Sequence, residues 1–327
     1  MIKLNIHKIL LLVSLAVTML LAGCAEGGSG SGGGGSGNQM EQFRGGSSFV
    51  EFTLEPGSPP ATILDSGIDT FDISLKIENR GEWDIEPNSL RVLLENFDEA
   101  RWGNNTQKNF VIANQMVGFD SLFNIEGDFE YVTFTNLQYI LELSQNSFNH
   151  NYLIRACHPY GTKVAFTACI DNQARRSQDQ TQVRLCEGFS NREFSVSSGP
   201  IGISRIEQQV INGRLRLIFT VRNNILESTD VTLLSPGSLN DVCRISEGIA
   251  ENQVRNNVQL TLSDDIVGEF SCSGDGRVSF SGGVPERTIV CESDISDLSV
   301  QELPMLLNIE YDVLKNMRNS IRVERSN

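Results

Sequence analysis

Hydrophobic and polar residues alternate in short segments along most of the chain from about residue 49 onward. The clearest segment is Thr70–Asn79, in which Phe71 and every second residue up to Ile77 are hydrophobic. Arg214–Asn223 repeats the pattern with one exception, because Ile218 is hydrophobic at a position where a polar residue is expected. A period of two is typical of a strand with one buried and one solvated face. Both segments are therefore predicted to be β-strands.

Further hydrophobic runs follow at intervals of about 8 to 12 residues, without long helical periodicity between them. The sequence Pro159-Tyr-Gly161 is a turn signal and predicts a hairpin between Tyr152–Cys157 and Lys163–Ile170. Short helices fit only around Glu247–Asn256 and Ser296–Leu303. This pattern predicts an all-β fold of antiparallel sandwiches. The other predicted strands are Leu90–Leu94, Phe110–Met116, Phe129–Phe134, Leu137–Leu143, Ile201–Ile206, Val231–Leu234, Val258–Leu262, Glu269–Ser273, Arg277–Phe280, Arg287–Cys291, Met305–Val313 and Asn319–Glu324.

The N-terminus has the pattern of an export signal. Lys3 and Lys8 precede the hydrophobic run Ile9–Ala22, which is too short to cross a bilayer as a helix. The run closes with Leu21-Ala-Gly-Cys24, which resembles the lipobox of prokaryotic lipoproteins. The resemblance implies that residues 1–23 are removed and that Cys24 carries a lipid. The alternative is an ordinary signal peptide followed by a chance cysteine.

Glycine and serine dominate the residues after Cys24, and we call residues 24–47 the tether. Such a composition cannot bury enough apolar surface to offset its backbone entropy, so the tether is predicted to be disordered. A boundary at Ser197-Ser-Gly-Pro200 divides the rest into a first half, residues 48–198, and a second half, residues 199–327. Each half is predicted to be one sandwich domain. The strands ending at Asn79 and Asn223 suggest diverged copies of one unit.

The charge of the chain is strongly acidic. Without Lys3 and Lys8 of the leader, 24 basic side chains face 41 acidic ones, a net charge of −17. Nucleic-acid binding depends on Lys and Arg that neutralise phosphates, so the charge argues against a nucleic-acid partner. It argues equally against an electrostatic hold on anionic lipids.

Six cysteines remain after Cys24, three in each half. An even number in an exported chain predicts disulfides, and six cysteines allow 15 pairings. Three per half means that either a bridge joins the halves or each half keeps one free thiol. The smallest spacing is twelve residues, which is unlike that of zinc-ligand pairs. The disulfide candidates are Cys157, Cys169, Cys186, Cys243, Cys272 and Cys291.

Most of the chain between residues 43 and 325 resembles a known type of surface module through short motifs. The strand that runs into Asn-x-Gly at Ile77–Gly81 is similar to CARDB-like repeats, which are immunoglobulin-like modules of bacterial and archaeal surface proteins. In such modules Tyr160–Lys163 and Ala168–Asp171 would close the domain. The lipobox, the tether and the start at Phe43 also look like surface lipoproteins of small-genome archaea. The resemblance implies two tandem immunoglobulin-like sandwiches at the cell surface. The second half departs from it, because Ile225 stands where the glycine is expected.

No catalytic, cofactor or metal site is predicted. Beyond the leader the chain has only His150 and His158, with no activated serine and no zinc-binding pattern. His158 follows Cys157, which could mark an activated thiol, although a disulfide is the more common state of an exported cysteine. Acidic pairs could bind calcium but are better explained as solvated turns. These pairs are Asp264 with Asp265 and Asp294 with Asp297.

Two further features concern surface recognition. Asn104-Asn-Thr106 is a glycosylation acceptor pattern at Asn104. Trp83 and Trp102 lie in polar stretches, where they could stack on sugars or pack over a core edge.

The expected function is therefore non-enzymatic. The protein is predicted to be extracytoplasmic, held to the membrane through lipid on Cys24, and to act in adhesion or envelope assembly with other surface proteins or glycans. The alternatives are a binding subunit for a glycan or a transport complex and, third, a hydrolase with an unrecognised site.

Overall fold

The computed structural model describes residues 43–103, 107–120, 124–170, 193–264, 267–296, 298 and 301–326. Within them the chain is nearly all β, which confirms the predicted fold class. Only two one-turn α-helices occur in these residues, α1 (Glu99–Trp102) and α2 (Glu251–Val254). The described strands are β1 (Val50–Leu54), β2 (Thr62–Leu64), β3 (Thr70–Asn79), β4 (Arg91–Glu95), β5 (Asn109–Val111), β6 (Phe129–Gln138), β7 (Ser147–Ile170), β8 (Phe194–Val196), β9 (Ile201–Ile211), β10 (Arg214–Asn223), β11 (Val231–Leu234), β12 (Asn257–Asp264), β13 (Gly268–Glu269), β14 (Ser271–Cys272), β15 (Arg277–Ser279), β16 (Glu286–Asp294) and β17 (Gln301–Glu324).

The two most regular alternating segments form strands with the predicted bounds, β3 and β10. On β3 the hydrophobic positions from Phe71 to Ile77 are buried. On β10 Leu215 and the next three odd positions are fully buried. Each strand ends at a buried asparagine whose side-chain oxygen accepts the backbone N–H two residues on, so Asn79 and Asn223 have the same local role.

The predicted hairpin around Pro159–Gly161 is wrong. Ser147–Ile170 is one continuous strand of 24 residues, β7. Pro159 is tolerated there because it falls between the segment paired with β4, which ends at Cys157, and the segment paired with β8, which begins at Val164. No described strand on that side requires the N–H that proline lacks. The last two predicted strands likewise merge into β17, which also has 24 residues.

The helix predictions are partly confirmed. Glu247–Asn256 contains the single turn α2, whereas Ser296–Leu303 runs into β17 from Gln301. The turn α1 was not predicted; the carboxylate of Asp98 caps it by accepting the N–H of Arg101 at 3.0 Å.

Three sheets are present in the described part of the chain. One has the order β1-β3-β6 and belongs to the first half, and one has the order β14-β16-β10-β9 and belongs to the second. The third is a large sheet with the path β13-β12-β17-β7-β4-β5, to which β2, β8, β11 and β15 also pair. Phe110 of the large sheet packs against Phe134 of the first small sheet, and Phe166 packs against Phe219 of the second. The hydrophobic core therefore lies between the large sheet and the two small ones.

The two long strands interlock the halves. β7 and β17 are antiparallel over their full length, from Ser147 opposite Glu324 to Ile170 opposite Gln301. The end of β17 pairs with β2 of the first half, and near the end of β7 the N–H of Cys169 donates to the Gln208 side chain on β9 of the second half. All the described residues, from Phe43 to Ser326, belong to one compact unit. The boundary at residues 198 and 199 does not separate two compact units, and the count of two immunoglobulin-like sandwiches stays a prediction.

The last residues assigned to the tether are attached to this body. The Glu82 carboxylate accepts the backbone N–H groups of Arg44 at 2.6 Å, Gly45 at 3.2 Å and Ser198 at 2.6 Å. The N–H of Phe43 donates to the Ser195 hydroxyl at 2.7 Å. The Glu82 carboxylate therefore holds Arg44 and Gly45, at the start of the described chain, close to Ser198, where the first half ends.

Candidate functional site

A cleft of about 310 Å³ lies where the two halves meet on the large sheet. We call it the junction cleft. Its residues come from the segment before and at the start of β4, the middle of β7, the loop after β11 and the middle of β17. They are Trp83, Asn88, Ser89, Arg91, Cys157, His158, Pro159, Tyr160, Pro236, Gly237, Leu239, Asn240, Asp241, Glu310, Tyr311 and Asp312.

One wall of the junction cleft is the half-buried indole of Trp83. Its ring rests against the backbone of Gly161 on β7, where a Cβ atom would lie 2.5 Å from the ring. The Lys163 ammonium is 5.8 Å from the ring centroid. Glycine leaves the space that the indole fills, so Gly161, which belongs to the predicted turn signal, instead allows Trp83 to approach the sheet.

The opposite wall is the loop after β11, and two contacts fix it to the sheet. Cys157 on β7 is disulfide-bonded to Cys243. The buried Asp312 carboxylate on β17 accepts the N–H groups of Ser238 at 2.8 Å and Leu239 at 3.3 Å. Burial raises the pKa of Asp312, and these backbone donors oppose the rise. The loop is thus held covalently by the first half and by hydrogen bonds from the second.

The rim of the junction cleft is polar and carries more negative than positive charge. Arg91 forms an ion pair with the exposed Asp241 at 2.9 Å, which joins the two walls. Glu310 adds a second exposed carboxylate, and Asn88 and Asn240 contribute carboxamides. The arrangement offers hydrogen-bond donors and acceptors around one aromatic face.

The side chains of His158 and Tyr160 lie on the face of β7 opposite to the one that carries Cys157 and Pro159, because side chains alternate along a strand. Both are buried, and burial lowers the pKa of His158 to about 4. Its Nδ1 lies 2.9 Å from the carbonyl oxygen of Pro159, while Nε2 has no partner in the described part of the chain. Burial also raises the pKa of Tyr160. His158 is therefore a neutral core residue rather than a group that faces solvent.

The disulfides decide two of the predictions from the cysteines. Cys157 is bonded to Cys243, so the activated thiol beside His158 is wrong and a bridge does join the halves. Cys272 is bonded to Cys291 within the second half. Cys169 is also disulfide-bonded, and Cys186 lies outside the described residues. The disulfides indicate an extracytoplasmic protein.

The two tryptophans have different environments. Trp102 is buried and packs against Phe71, Phe97 and Tyr139, so the interpretation as a core residue is confirmed and sugar contact at Trp102 is wrong. Trp83 lines the junction cleft. Apart from Cys157 and His158, the polar residues of the cleft were not singled out in the sequence, because no local pattern marks residues that meet only through β7 and β17.

Several predicted positions lie outside the described residues, namely Cys24 with the leader, Asn104, Asp265 and Asp297. The Asp294 carboxylate accepts the N–H of Ser296 at 2.9 Å, and this bond lowers its pKa. The contact fits the solvated turn that was preferred over a calcium site. Among the described residues no group of three or more His, Cys, Asp or Glu side chains could hold a metal ion.

An exposed aromatic pair lies on strand β6, at the edge of the first small sheet. Phe129 is 54% exposed and Tyr131 is 53% exposed, and their ring centroids are 5.7 Å apart. Lys76 on the neighbouring strand lies 4.9 Å from the Phe129 centroid. We call this pair the β6 surface.

In comparison with known proteins, no protein family and no curated protein matches the chain. In the described part of the chain, neither helix has the length and apolar character that a membrane crossing requires.

Proposed function

We propose that this protein is a lipid-anchored, extracytoplasmic binding protein whose immunoglobulin-like β-body acts without catalysis in adhesion or envelope assembly. The disulfides support the location. The lipobox at Cys24 and the tether support the anchor.

The observation that carries the binding role is the β6 surface. β6 has β3 as its only strand partner in the described part of the chain. Proteins usually protect such edges with charge or cover them, because an open edge can pair with another chain. Here the outer face of the edge instead presents Phe129 and Tyr131, each more than half exposed. Aromatic side chains of this kind are enriched where proteins bind each other.

Anchoring is tested first, in the native cell. We expect the mature protein to begin at Cys24, to carry a lipid adduct by mass spectrometry and to partition into detergent. The Cys24→Ser variant should lose the adduct and the partitioning. An intact leader on an unmodified protein in the cell interior would contradict the proposal.

Adhesion is tested by the binding of the Cys24→Ser protein to isolated cell envelopes. We expect saturable binding that falls at least tenfold when Phe129→Ser and Tyr131→Ser are combined, because the aromatic pair supplies the contact area. Val284→Ser is the matched control, since Val284 is 40% exposed and belongs to the second half. Equal loss in both variants, or in neither, would refute the β6 surface as the interface.

The second candidate function is a binding subunit for a glycan or a transport complex, and the junction cleft favours it. A hydrolase is the third candidate. It requires an acidic group with a shifted pKa in a cleft, which Asp312 provides. The engagement of Asp312 with the amides of Ser238 and Leu239 supports a structural role instead.

A further inference from the structure

We infer that the junction cleft is a binding site for one or two neutral sugar residues, with Trp83 as the stacking surface. The inference rests on the second candidate function, glycan binding. It does not depend on the β6 surface or on lipidation at Cys24.

The stacking surface is fixed before any ligand arrives. The Trp83 ring is held against Gly161, and nothing larger than glycine fits beneath it. A sugar presents an apolar face of C–H groups, and the flat indole offers apolar area of matching shape while giving up little conformational entropy. An aromatic ring that is half-buried and supported from one side by the sheet, on the wall of a cleft, is suited to this contact.

The polar groups around Trp83 match hydroxyl groups rather than charged ligands. The Asn88 carboxamide can donate and accept, and the Glu310 carboxylate accepts. The Asn240 oxygen already accepts the N–H groups of Val242 and Arg244, so Asn240 offers its NH2 group as a donor. The Arg91 guanidinium is already paired with Asp241. The lining residues include one cation, Arg91, and three carboxylates, those of Asp241, Glu310 and Asp312. The Lys163 ammonium beside the Trp83 ring is a second cation, so negative charge remains in excess. The cleft should therefore disfavour uronic acids, sialic acids and phosphates.

The size and rigidity of the cleft set the length of the ligand. About 310 Å³ is at the lower end of the range of small-molecule sites, which is roughly 300–1,000 Å³. That volume suits one or two sugar residues. The wall opposite Trp83 is fixed by the Cys157–Cys243 disulfide and by Asp312, so the site is preformed and little binding energy is lost in ordering it.

The chain offers a direct optical test, because it contains only two tryptophans and Trp102 is buried. The probes are the methyl glycosides of glucose, galactose and N-acetylglucosamine, with glucuronate as the anionic comparison. We expect a saturable change in tryptophan emission and protection from acrylamide quenching with at least one neutral glycoside. Glucuronate should bind at least tenfold more weakly. No saturable change with any neutral glycoside, or tighter binding of glucuronate, would overturn the inference.

Variants test whether the fluorescence change arises from binding in the junction cleft. Where a variant alters the fluorophore itself, its sugar affinity is measured by calorimetry. Trp83→Phe should weaken binding at least tenfold, and Asn240→Ala several-fold. Gly161→Ala tests positioning, because it displaces the indole without removing a polar group; it should weaken binding although Trp83 is still present. The combined β6 variant, Phe129→Ser with Tyr131→Ser, should keep full sugar affinity. Normal affinity in Trp83→Phe with an unchanged circular-dichroism spectrum would contradict the site, whatever the envelope-binding assay shows.

Discussion

The hydroxyl group of Tyr160 occupies the space that a Cβ atom would need at position 81. Tyr160 belongs to β7 in the large sheet, and Gly81 follows β3 of the first small sheet. The Tyr160 ring also packs edge-on against Phe49, with centroids 6.2 Å apart. One tyrosine thus spans the sandwich of the first half, and the glycine opposite it allows the two sheets to approach.

Replacement of Gly81 by alanine should destabilise the protein by about 1–3 kcal/mol, since the added methyl group overpacks the core. Urea unfolding measures the change. Gly202→Ala is the control, because its Cβ would meet its nearest neighbour at an ordinary 3.5 Å. Adding Tyr160→Phe to Gly81→Ala should restore part of the loss. Equal stability of the two alanine variants would show that the contact does not limit the packing.

The Cys157–Cys243 disulfide should contribute more stability than the Cys272–Cys291 disulfide. Its cysteines are 86 residues apart, against 19 for the other pair. A longer closed loop restricts the unfolded chain more, and typical contributions are about 2–4 kcal/mol. We expect the Cys157→Ser, Cys243→Ser double variant to lose more than the matched double variant at Cys272 and Cys291. The reverse order in urea unfolding would contradict an account based on chain entropy.

Burial of His158 should make the protein less stable in acid. Its pKa is about 4 in the folded protein, against 6.5 as the ordinary value, so the unfolded chain takes up a proton first as the pH falls. The contribution of His158 to the free energy of unfolding should be fully present above pH 6.5 and should be lost as the pH falls from 6.5 to 4. The full shift corresponds to about 3 kcal/mol.

The test of the His158 prediction is the pH dependence of urea unfolding. Between pH 6.5 and pH 4, the free energy of unfolding of His158→Leu should fall less steeply with decreasing pH than that of the wild type. His150 provides the comparison, because burial also lowers its pKa and some dependence should remain in the His158 variant. An unchanged slope in His158→Leu would show that His158 does not titrate as described.

The Asp65 carboxylate should hold the end of the described chain in place. It accepts the N–H of Leu143 at 2.7 Å and that of Ser326 at 2.6 Å, and these bonds lower its pKa. A lowered carboxyl pKa means that the contribution is present at neutral pH and is lost as the pH falls through the folded value.

In Asp65→Asn, we expect faster hydrogen exchange at the amides of Leu143 and Ser326. Asp294→Asn is the control, because its hydrogen bond reaches only the nearby Ser296. It should leave both amides unchanged. Full protection of Ser326 in the Asp65 variant would show that the strand pairing alone holds this end.

The sequence predicted local structure better than it predicted connections. Strict alternation identified β3 and β10 with their bounds, because one buried face imposes a period of two. The same rule failed at residues 156–158, where three consecutive buried residues follow from cover on both faces of the large sheet. Pro159 and Gly161 are residues typical of turns, so they predicted a turn where the strand in fact continues. Which cysteines pair could not be read from spacing, since the partner of Cys157 is brought near by contacts over the whole chain.

Of the junction cleft, the sequence singled out Trp83, an aromatic residue in a polar stretch, and the neighbours Cys157 and His158, for which it suggested a different role. Arg91 and Asp241 each look like ordinary surface charges in the sequence. Their ion pair exists because the middle of β7 and the middle of β17 lie side by side. A cleft assembled from both halves leaves no short motif.

The interlocking of β7 and β17 also governs how the protein can be made. During synthesis from the N-terminus to the C-terminus, β7 is complete before β17 has been made. Until β17 is present, the 24 residues of β7, many of them apolar, have no strand to pair with along one edge. Partly folded chains with exposed apolar surface aggregate readily, so we expect β7 to be the segment most prone to aggregation until β17 is available to pair with it.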